Sequence, residues 1–397
     1  MKVAIIHTDF RIYWPARLQA LYTFLHDRKI NLEVIEIAGK GSPYAFSGPS
    51  NTKGLPWHIL FPTSRIEELT NSAIRHSLFA KLDIIQPEIL IAGAIAFPSG
   101  ALSITWATKH HRRIICFDDA KIEAVKRGHI TTFIKQHIYN GIYAMFYPSP
   151  DWNNTGRYWH FKPEQLFYGI NVVDNDFWQN YTDTKNPLPV KKYLLTVGRQ
   201  VEKKNFFHIV QAYADYHDKN ADALPLVIIG EGPEHERIQN FVNEKKLTHD
   251  VYLLPFKTQE ELRSIYHHAE AFILSSNSEE TWGLVINEAM ACGLPVIVSD
   301  LCGATHTLVK SGVNGYIFPL SDPKALTGCL ERFHRLPPIE RRKMRDAARE
   351  TIKNWGLERF CQGCHAAIMY VASQPIKHLS ILSRFFISRW QGRYRPV

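Results

Sequence analysis

The chain has 397 residues, 45% of them apolar and 21% charged, which supplies packed cores and excludes a small disulfide scaffold, a disordered chain and a collagen-like fibre. At roughly 100 to 200 residues per domain, that length predicts two domains. A net charge of +9 points toward a polyanion, nucleic acid or anionic membrane, without choosing between them.

The first ten residues read as a strand, MKVAIIH, in which a polar residue arrives before the apolar region of a signal peptide could form. The expectation is a protein that stays in the cytoplasm. Strand-like runs LEVIEIA, EILIAGA and RIICF follow, separated by helical periodicity. Residues 89–108 carry no formal charge over about the length of a transmembrane helix, but Gly93, Pro98, Ser99 and Gly100 interrupt the run. It reads as a buried strand, a turn and a core helix.

The segment NPLPV, Asn186 to Val190, marks a linker over 186–192 between a first domain, 1–185, and a second, 193–372. Beyond it come YLLTVG, LPLVIIG, VYLLPF, AFILSS, PVIVS and GYIFP. Short continuous apolar runs alternating with amphipathic helices predict parallel strands covered on both faces, hence a doubly wound α/β fold in each half. Two Rossmann-like halves would place a cleft at the carboxyl ends of their strands.

Six cysteines, at 116, 292, 302, 329, 361 and 364, are too scattered for a disulfide framework and predict a reducing compartment. Cys361 and Cys364 form one CxxC without a second pair, which reads as a helix face. The last segment, 373–397, carries Lys377, Arg384, Arg389, Arg393 and Arg395 among Leu379, Leu382, Phe385, Phe386, Ile387 and Trp390, with no acid. This is a basic amphipathic helix that either docks on the first domain, touches an anionic membrane surface, or does both.

The chemistry follows the second set of strands. After YLLTV comes Gly198-Arg199-Gln200-Val201-Glu202-Lys203-Lys204-Asn205 and a helix for which Asn205 is the expected N-cap. Arg199 and Lys204 then stand at a strand-to-helix turn that already favours an anion, and two cations there suit a diphosphate. The next turn, Gly230-Glu231-Gly232-Pro233, places Pro233 at an expected helix N1 position. No GxGxxG follows a strand, which argues against a nicotinamide enzyme.

The sharpest signal runs from Glu280 to Pro295. A helix starting near Gly283 and ending at Gly293 puts Glu288 between Leu284 and Val285 on one turn and Ala291 and Cys292 on the next. A carboxylate in an apolar stripe needs a partner, and a pair of sugar hydroxyls would serve. Glu280 lies beside the free N–H groups of that helix's first turn.

These residues resemble the retaining, GT-B-fold glycosyltransferases of family 4. The resemblance covers nearly all of the second domain, from TVGRQVEKKN through VIIGEGPE, VYLLPF and LSSNSEETWGLVINEAMACGLPVIVSD to CGATHTLVKSGVNGYIFPLSDPKAL. It implies two Rossmann-like domains with parallel sheets facing a central cleft. It also implies that Arg199 and Lys204 hold the donor diphosphate, that Glu280 and Glu288 are the two acids of the E-x7-E motif, and that Arg199, Lys204 and Glu280 are catalytic. Gly198, Gly230, Thr281, Trp282, Gly283 and Leu284 complete the implied donor site. Residues 165–178, QLFYGINVVDNDFW, are similar to the family's closing segment of the first domain.

The first domain departs from that pattern. Thr8-Asp9-Phe10-Arg11 replaces the usual glycine pair after the first strand, and Cys116-Phe117-Asp118-Asp119 replaces the histidine often found near the acceptor. Asp118 and Asp119 are candidates either to face the acceptor or to cap locally, with Lys126, Arg127 and Lys135 placed to meet an anionic acceptor or membrane. No histidine spacing suggests zinc, and Asp174-Asn175-Asp176 resembles a metal-binding DxD in letters only.

The resemblance implies a hexosyl transfer from a nucleotide-sugar to a hydroxyl of a saccharide or lipid-linked acceptor, with retention. It implies no metal and no cofactor, in cell-surface polysaccharide or glycolipid synthesis, at the inner face of the membrane. A nucleotide-sugar epimerase or a phosphorylase shares the architecture but not this motif set. A nucleic-acid partner is not expected, because no RRM, KH or helix-turn-helix pattern is present.

Overall fold

A computed structural model describes residues 1–40, 54–124, 127–181, 186–277 and 280–392. Lys126, Arg393 and Arg395 lie outside them. The chain divides into two compact units, one formed by Met1–Val172 with Leu357–Val397 and the other by Val173–Gly356.

The first unit holds a seven-stranded parallel sheet made of β1 (Lys2–His7), β2 (Asn31–Ala38), β3 (Trp57–Phe61), β4 (Ile89–Ala92), β5 (Arg113–Phe117), β6 (Ala144–Tyr147) and β7 (Leu166–Tyr168), in the order β3-β2-β1-β4-β5-β6-β7. The expected strands are present as β1, β2, β4 and β5. The others give weaker signals: β3 is half-buried throughout and carries His58, and β7 is three residues long at the sheet edge. The uncharged run 89–108 is β4 followed by the buried helix Pro98–Lys109. No described helix is long and apolar enough to cross a membrane.

The second unit holds a six-stranded parallel sheet, β8 (Leu194–Val197), β9 (Leu226–Ile229), β10 (Val251–Leu254), β11 (Ala271–Leu274), β12 (Val296–Ser299) and β13 (Gly315–Phe318), in the order β10-β9-β8-β11-β12-β13. All six expected runs are strands. The inner ones are buried along their whole length, as continuous Val/Ile/Leu runs between helical layers should be.

The chain changes unit at places other than the proline-marked segment. Residues after Val172 already pack with the second unit, where Trp178 is buried with its ring 5.5 Å from Tyr266 and its carbonyl 2.7 Å from His267 Nε2. The linker NPLPV is a local turn inside that unit, closed by Leu188 N–H donating to Asn186 Oδ1 at 3.0 Å. At the other end, the helix Leu357–Ser373 belongs to the first unit. Its apolar stripe, Phe360, Cys361, Cys364, Ala367, Ile368 and Val371, shares a core with Leu18, Leu21 and Leu25 of the helix Trp14–His26. Cys361 and Cys364 are therefore free thiols on a buried helix face, and burial pushes Cys361 up to about 12.

The tail folds back on the first unit. Its helix, Ile381–Arg389, buries Ser383 and Ile387 against the helices Pro98–Lys109 and His129–Tyr139. Thr105 Oγ1 donates to the Ile387 carbonyl at 2.9 Å, and Trp390 Nε1 donates to the Ile95 carbonyl at 2.6 Å.

Candidate functional site

In the second unit the carboxyl ends of β8, β9, β11 and β12 gather most of the sequence-predicted residues. The turns after β8 and β9 touch. Gly230 has φ +127°, and a Cβ there would stand 2.1 Å from the Gly198 carbonyl oxygen, so neither turn could approach the other with a larger residue at 230. Gln200 clamps the pair. It is fully buried, its Nε2 donates to the Gly230 carbonyl at 2.6 Å, and its backbone pairs with Glu231 O and Glu234 N at 2.8 and 2.9 Å. Sequence reading passed over Gln200; its one signal is a polar residue directly after a strand-Gly-Arg.

Two expectations about local geometry need correction. Asn205 makes no side-chain cap: it sits in the left-handed region (φ +51°, ψ +43°), ending a short 3₁₀ turn, Glu202–Lys204, that intervenes before the helix Phe206–His217. Asparagine tolerates that conformation where a bulkier residue would be strained. Pro233 is not at N1 of the next helix, which begins at His235, because the bond from Glu234 N–H to Gln200 O holds residues 231–234 as a turn.

The 3₁₀ turn brings Lys204 to the loop after β11. Lys204 Nζ forms an ion pair with Glu280 Oε2, both side chains being largely shielded, and Ser276 Oγ donates to the same oxygen at 3.4 Å. Asn277 N–H donates to the Lys203 carbonyl at 2.9 Å and ties the two loops together. Arg199 is half-buried on the same β8 turn.

The helix beyond Glu280 is Leu284–Ala291, entered through Gly283 at φ +94° and closed by Gly293. A Cβ at Gly283 would meet Cys302 Sγ at 2.9 Å, so this turn demands glycine by both conformation and space. Trp282 is buried. Its Nε1 donates to Asn287 Oδ1 at 2.9 Å and its carbonyl accepts from Ala304 N–H, leaving its indole in the core, while Thr281 and Leu284 are half-buried. Burial, with the Glu280 carboxylate adding to it, pushes the Cys302 thiol up to about 12, so it stays protonated and donates to the Trp282 carbonyl at 3.0 Å.

Glu288 is 2% exposed. Tyr266, on the helix Gln259–His268, donates its hydroxyl to Glu288 Oε2 at 2.9 Å. The carboxylate that the apolar stripe required to have a partner thus has one from the protein. Nothing in the local sequence around Glu288 announces Tyr266, which is 22 positions away.

The acceptor-side candidates lie in the first unit, after β5. Asp118 Oδ1 accepts from Ala120 N–H at 2.9 Å, and Asp119 Oδ2 accepts from Asn171 Nδ2 at 3.3 Å, so both carboxylates have local structural bonds. Burial, with Asp119 beside it, raises Asp118 to about 6 against the pull of Lys135 and Arg127. Lys135 is pulled down by its own burial, and its ammonium lies 5.9 Å from the Trp390 ring centroid.

Three further groups at this sheet edge escaped sequence reading. His7, at the end of β1, stacks on Phe117 at 5.2 Å and is held down to about 4 by burial and then Arg17, so it is neutral at pH 7. An imidazole therefore reaches the end of β5 from β1. Arg17 is buried, with Nε and Nη2 donating to the Val172 carbonyl at 2.9 and 2.6 Å. Glu36 is fully buried and accepts from Phe10 N–H at 3.2 Å and Trp57 Nε1 at 2.9 Å, so the turn that replaces the glycine pair spends its Phe10 N–H internally.

Among the described residues no group of three or more His, Cys, Asp and Glu side chains converges as a metal ligand set. Asp174 caps the short helix Asn175–Gln179, its Oδ1 accepting from Phe177 N–H at 3.1 Å.

Residues 181–351, less than half of the chain, match the family model of glycosyl transferases group 1. The chain is 29% identical over 130 residues to the GtfA subunit of the UDP-N-acetylglucosamine–peptide N-acetylglucosaminyltransferase of Streptococcus agalactiae, covering 33% of this chain and 25% of that protein. It is 28% identical over 179 residues to the putative colanic acid biosynthesis glycosyltransferase WcaL of Escherichia coli, covering 43% and 44%. The chain thus spans less than half the length of these curated relatives. It is also similar to the structure of sucrose-phosphate synthase from Thermosynechococcus elongatus, with a TM-score of 0.73 at 18% identity, covering 94% of this chain and 100% of that one. The fold is GT-B, two parallel-sheet α/β units in one chain.

Proposed function

We propose that this chain is a retaining glycosyltransferase of family 4 that moves a hexosyl group from a nucleotide-sugar to a hydroxyl of a saccharide or lipid-linked glycan in cell-surface polysaccharide or glycolipid synthesis. It would act in the cytoplasm, at the inner face of the membrane. The observation that carries the reading is the convergence of Lys204 and Glu280 from two different strand ends, with Glu288 buried in the second turn of the helix that follows. The match to glycosyl transferases group 1 covers all three residues.

Each group has a task in this reaction. Arg199, Lys204 and the N-terminus of the helix Leu284–Ala291 meet the diphosphate, whose charge grows as the bond from the anomeric carbon to phosphate oxygen breaks. Because these cations meet that charge, the transfer takes no metal and no cofactor. Glu280 exchanges its bond with Lys204 for the hydroxyls of the donor sugar. Glu288, held by Tyr266, accepts from the ribose hydroxyls. The acceptor oxygen bonds to the anomeric carbon on the face the phosphate leaves, and its proton passes to the departing phosphate oxygen. On the first unit, Asp118, Asp119 and Lys135 are the acceptor-side groups, joined by His7, which stacks on Phe117 from the end of β1.

Calorimetric titration with UDP-, GDP- and ADP-sugars, paired with thermal melts, tests the donor half. One nucleotide class raises the melting temperature of the wild type, since a ligand that binds only the folded chain stabilises it, and Glu288→Gln weakens its binding by about 1.5 to 3 kcal/mol. Binding of none of these, or binding unchanged in both Glu288→Gln and Lys204→Ala, overturns the reading. Activity lost on chelation and restored by magnesium or manganese removes the metal-independent part, and an inverted product by NMR removes retention.

A further inference from the structure

Large apolar side chains are exposed together on one face of the first unit. The helices His129–Tyr139 and Ile381–Arg389 lie side by side, joined by His137 Nδ1 and Ser383 Oγ at 3.2 Å and by Phe133 and Phe386 with ring centroids 6.1 Å apart. In the tail helix Ser383 and Ile387 point inward. Ile381, Phe385 and Arg389 follow one another at i, i+4 spacing on the opposite side. Ile381 is 82% exposed and Phe385 52%; on the neighbouring helix Ile130 is 78% exposed and Phe133 49%. Inward docking of the tail therefore accounts for one of its faces and leaves the other, equally apolar, facing solvent.

Grouped exposed residues of this kind mark an interaction surface, whereas scattered single ones do not. The charge pattern identifies its partner. No Asp or Glu occurs between Glu123 and Asp151, or anywhere after Glu358, so neither helix carries a carboxylate. Arg384 and Arg389 are exposed beside the apolar stripe, and the Arg389 guanidinium lies 5.8 Å from the Phe385 ring centroid. An apolar strip with cationic flanks and no acid complements the boundary between acyl chains and anionic headgroups.

We propose that the face formed by the helices His129–Tyr139 and Ile381–Arg389 rests on an anionic lipid surface. Ile130, Phe133, Ile381 and Phe385 enter the headgroup boundary, while Arg384 and Arg389 pair with lipid phosphates. The inference does not rest on the donor chemistry, since none of these residues belongs to the second unit.

Flotation of the full chain with phosphatidylcholine vesicles, with and without phosphatidylglycerol, tests it. The wild type floats with the anionic vesicles, and partitioning falls about tenfold on neutral vesicles or at high salt. Ile381→Ser with Phe385→Ser, and separately Arg384→Gln with Arg389→Gln, each lower partitioning by about tenfold. All four side chains are exposed, so the melting temperature stays that of the wild type. A wild type that remains in solution with anionic vesicles, or double variants that float as it does, overturns the proposal. So does retention on an acidic protein with no flotation. The salt dependence of the unmodified chain provides a readout that needs no variant.

Discussion

The two sheets share a strand order around their first strands, β2-β1-β4 in one unit and β9-β8-β11 in the other, yet the turns leaving β1 and β8 are built from opposite chemistry. After β8, Gly198 and Gly230 bring two turns into contact, and Arg199 and Lys204 follow on the first of them. After β1, Phe10 is fully buried among Trp14, Trp57 and His7, and its N–H is taken by the buried carboxylate of Glu36. The same topology thus lines one turn with cations and fills the other with its own aromatic core. Each unit also buries a carboxylate near this edge. Glu36 has two N–H donors yet is raised from the ordinary range, burial outweighing them, whereas Glu288 has the hydroxyl of Tyr266.

The sharpest break of that comparison is Phe10→Ala. If the β1 turn is structural, removing this side chain costs about 3 to 5 kcal/mol of stability and leaves donor affinity in the second unit unchanged. Denaturant unfolding beside donor calorimetry checks both halves. Lys204→Ala should do the reverse, with turnover falling about 10²- to 10³-fold from the lost electrostatic contact. Because Lys204 and Glu280 are paired, the double variant Lys204→Ala with Glu280→Gln loses less than the sum of the two single losses in steady-state kinetics.

A smaller effect is expected from Tyr266→Phe, which removes one hydroxyl from a buried carboxylate. Donor affinity weakens by about 1 kcal/mol, with turnover near that of the wild type. Equal losses in both would make Tyr266 a general packing residue. The smallest effect concerns Asp118. Its folded carboxyl titrates near 6, above the ordinary 3.8, so the native chain holds that proton more tightly than the unfolded chain does. That contribution is fully present below about pH 4 and is lost as the pH rises through about 6. Asp118→Asn, which cannot ionise, should therefore gain melting temperature relative to the wild type between pH 4.5 and roughly 7.5. A pH-independent difference would remove the assignment.

Much of the second unit was legible before folding. The runs that became β8 to β13 are continuous and apolar because both faces of a parallel sheet are covered, and such runs stand out in a sequence. The helix Leu284–Ala291 was legible because its bounding glycines adopt left-handed conformations that other residues resist, and Glu288 because a carboxylate on an apolar helical stripe is costly. The first unit was less so. β3 mixes histidine with aromatic and aliphatic residues at a sheet edge, and β7 is too short to show a period.

By itself the sequence determined two parallel α/β halves, the glycine turns and the residue types at the strand ends, because those depend on periodicity and on local backbone freedom. Only tertiary structure decided which side chains meet. Lys204 finds Glu280 because β8 and β11 are neighbours in the sheet, and Glu288 finds Tyr266 across two helices. His7 reaches Phe117 across the intervening β4, and the tail returns to the first unit through bonds that join Ile387 to Thr105 and Trp390 to Ile95. Each of these contacts joins residues far apart in the chain, and no local pattern encodes such a partner: it is fixed by strand order and by which apolar faces must be covered together.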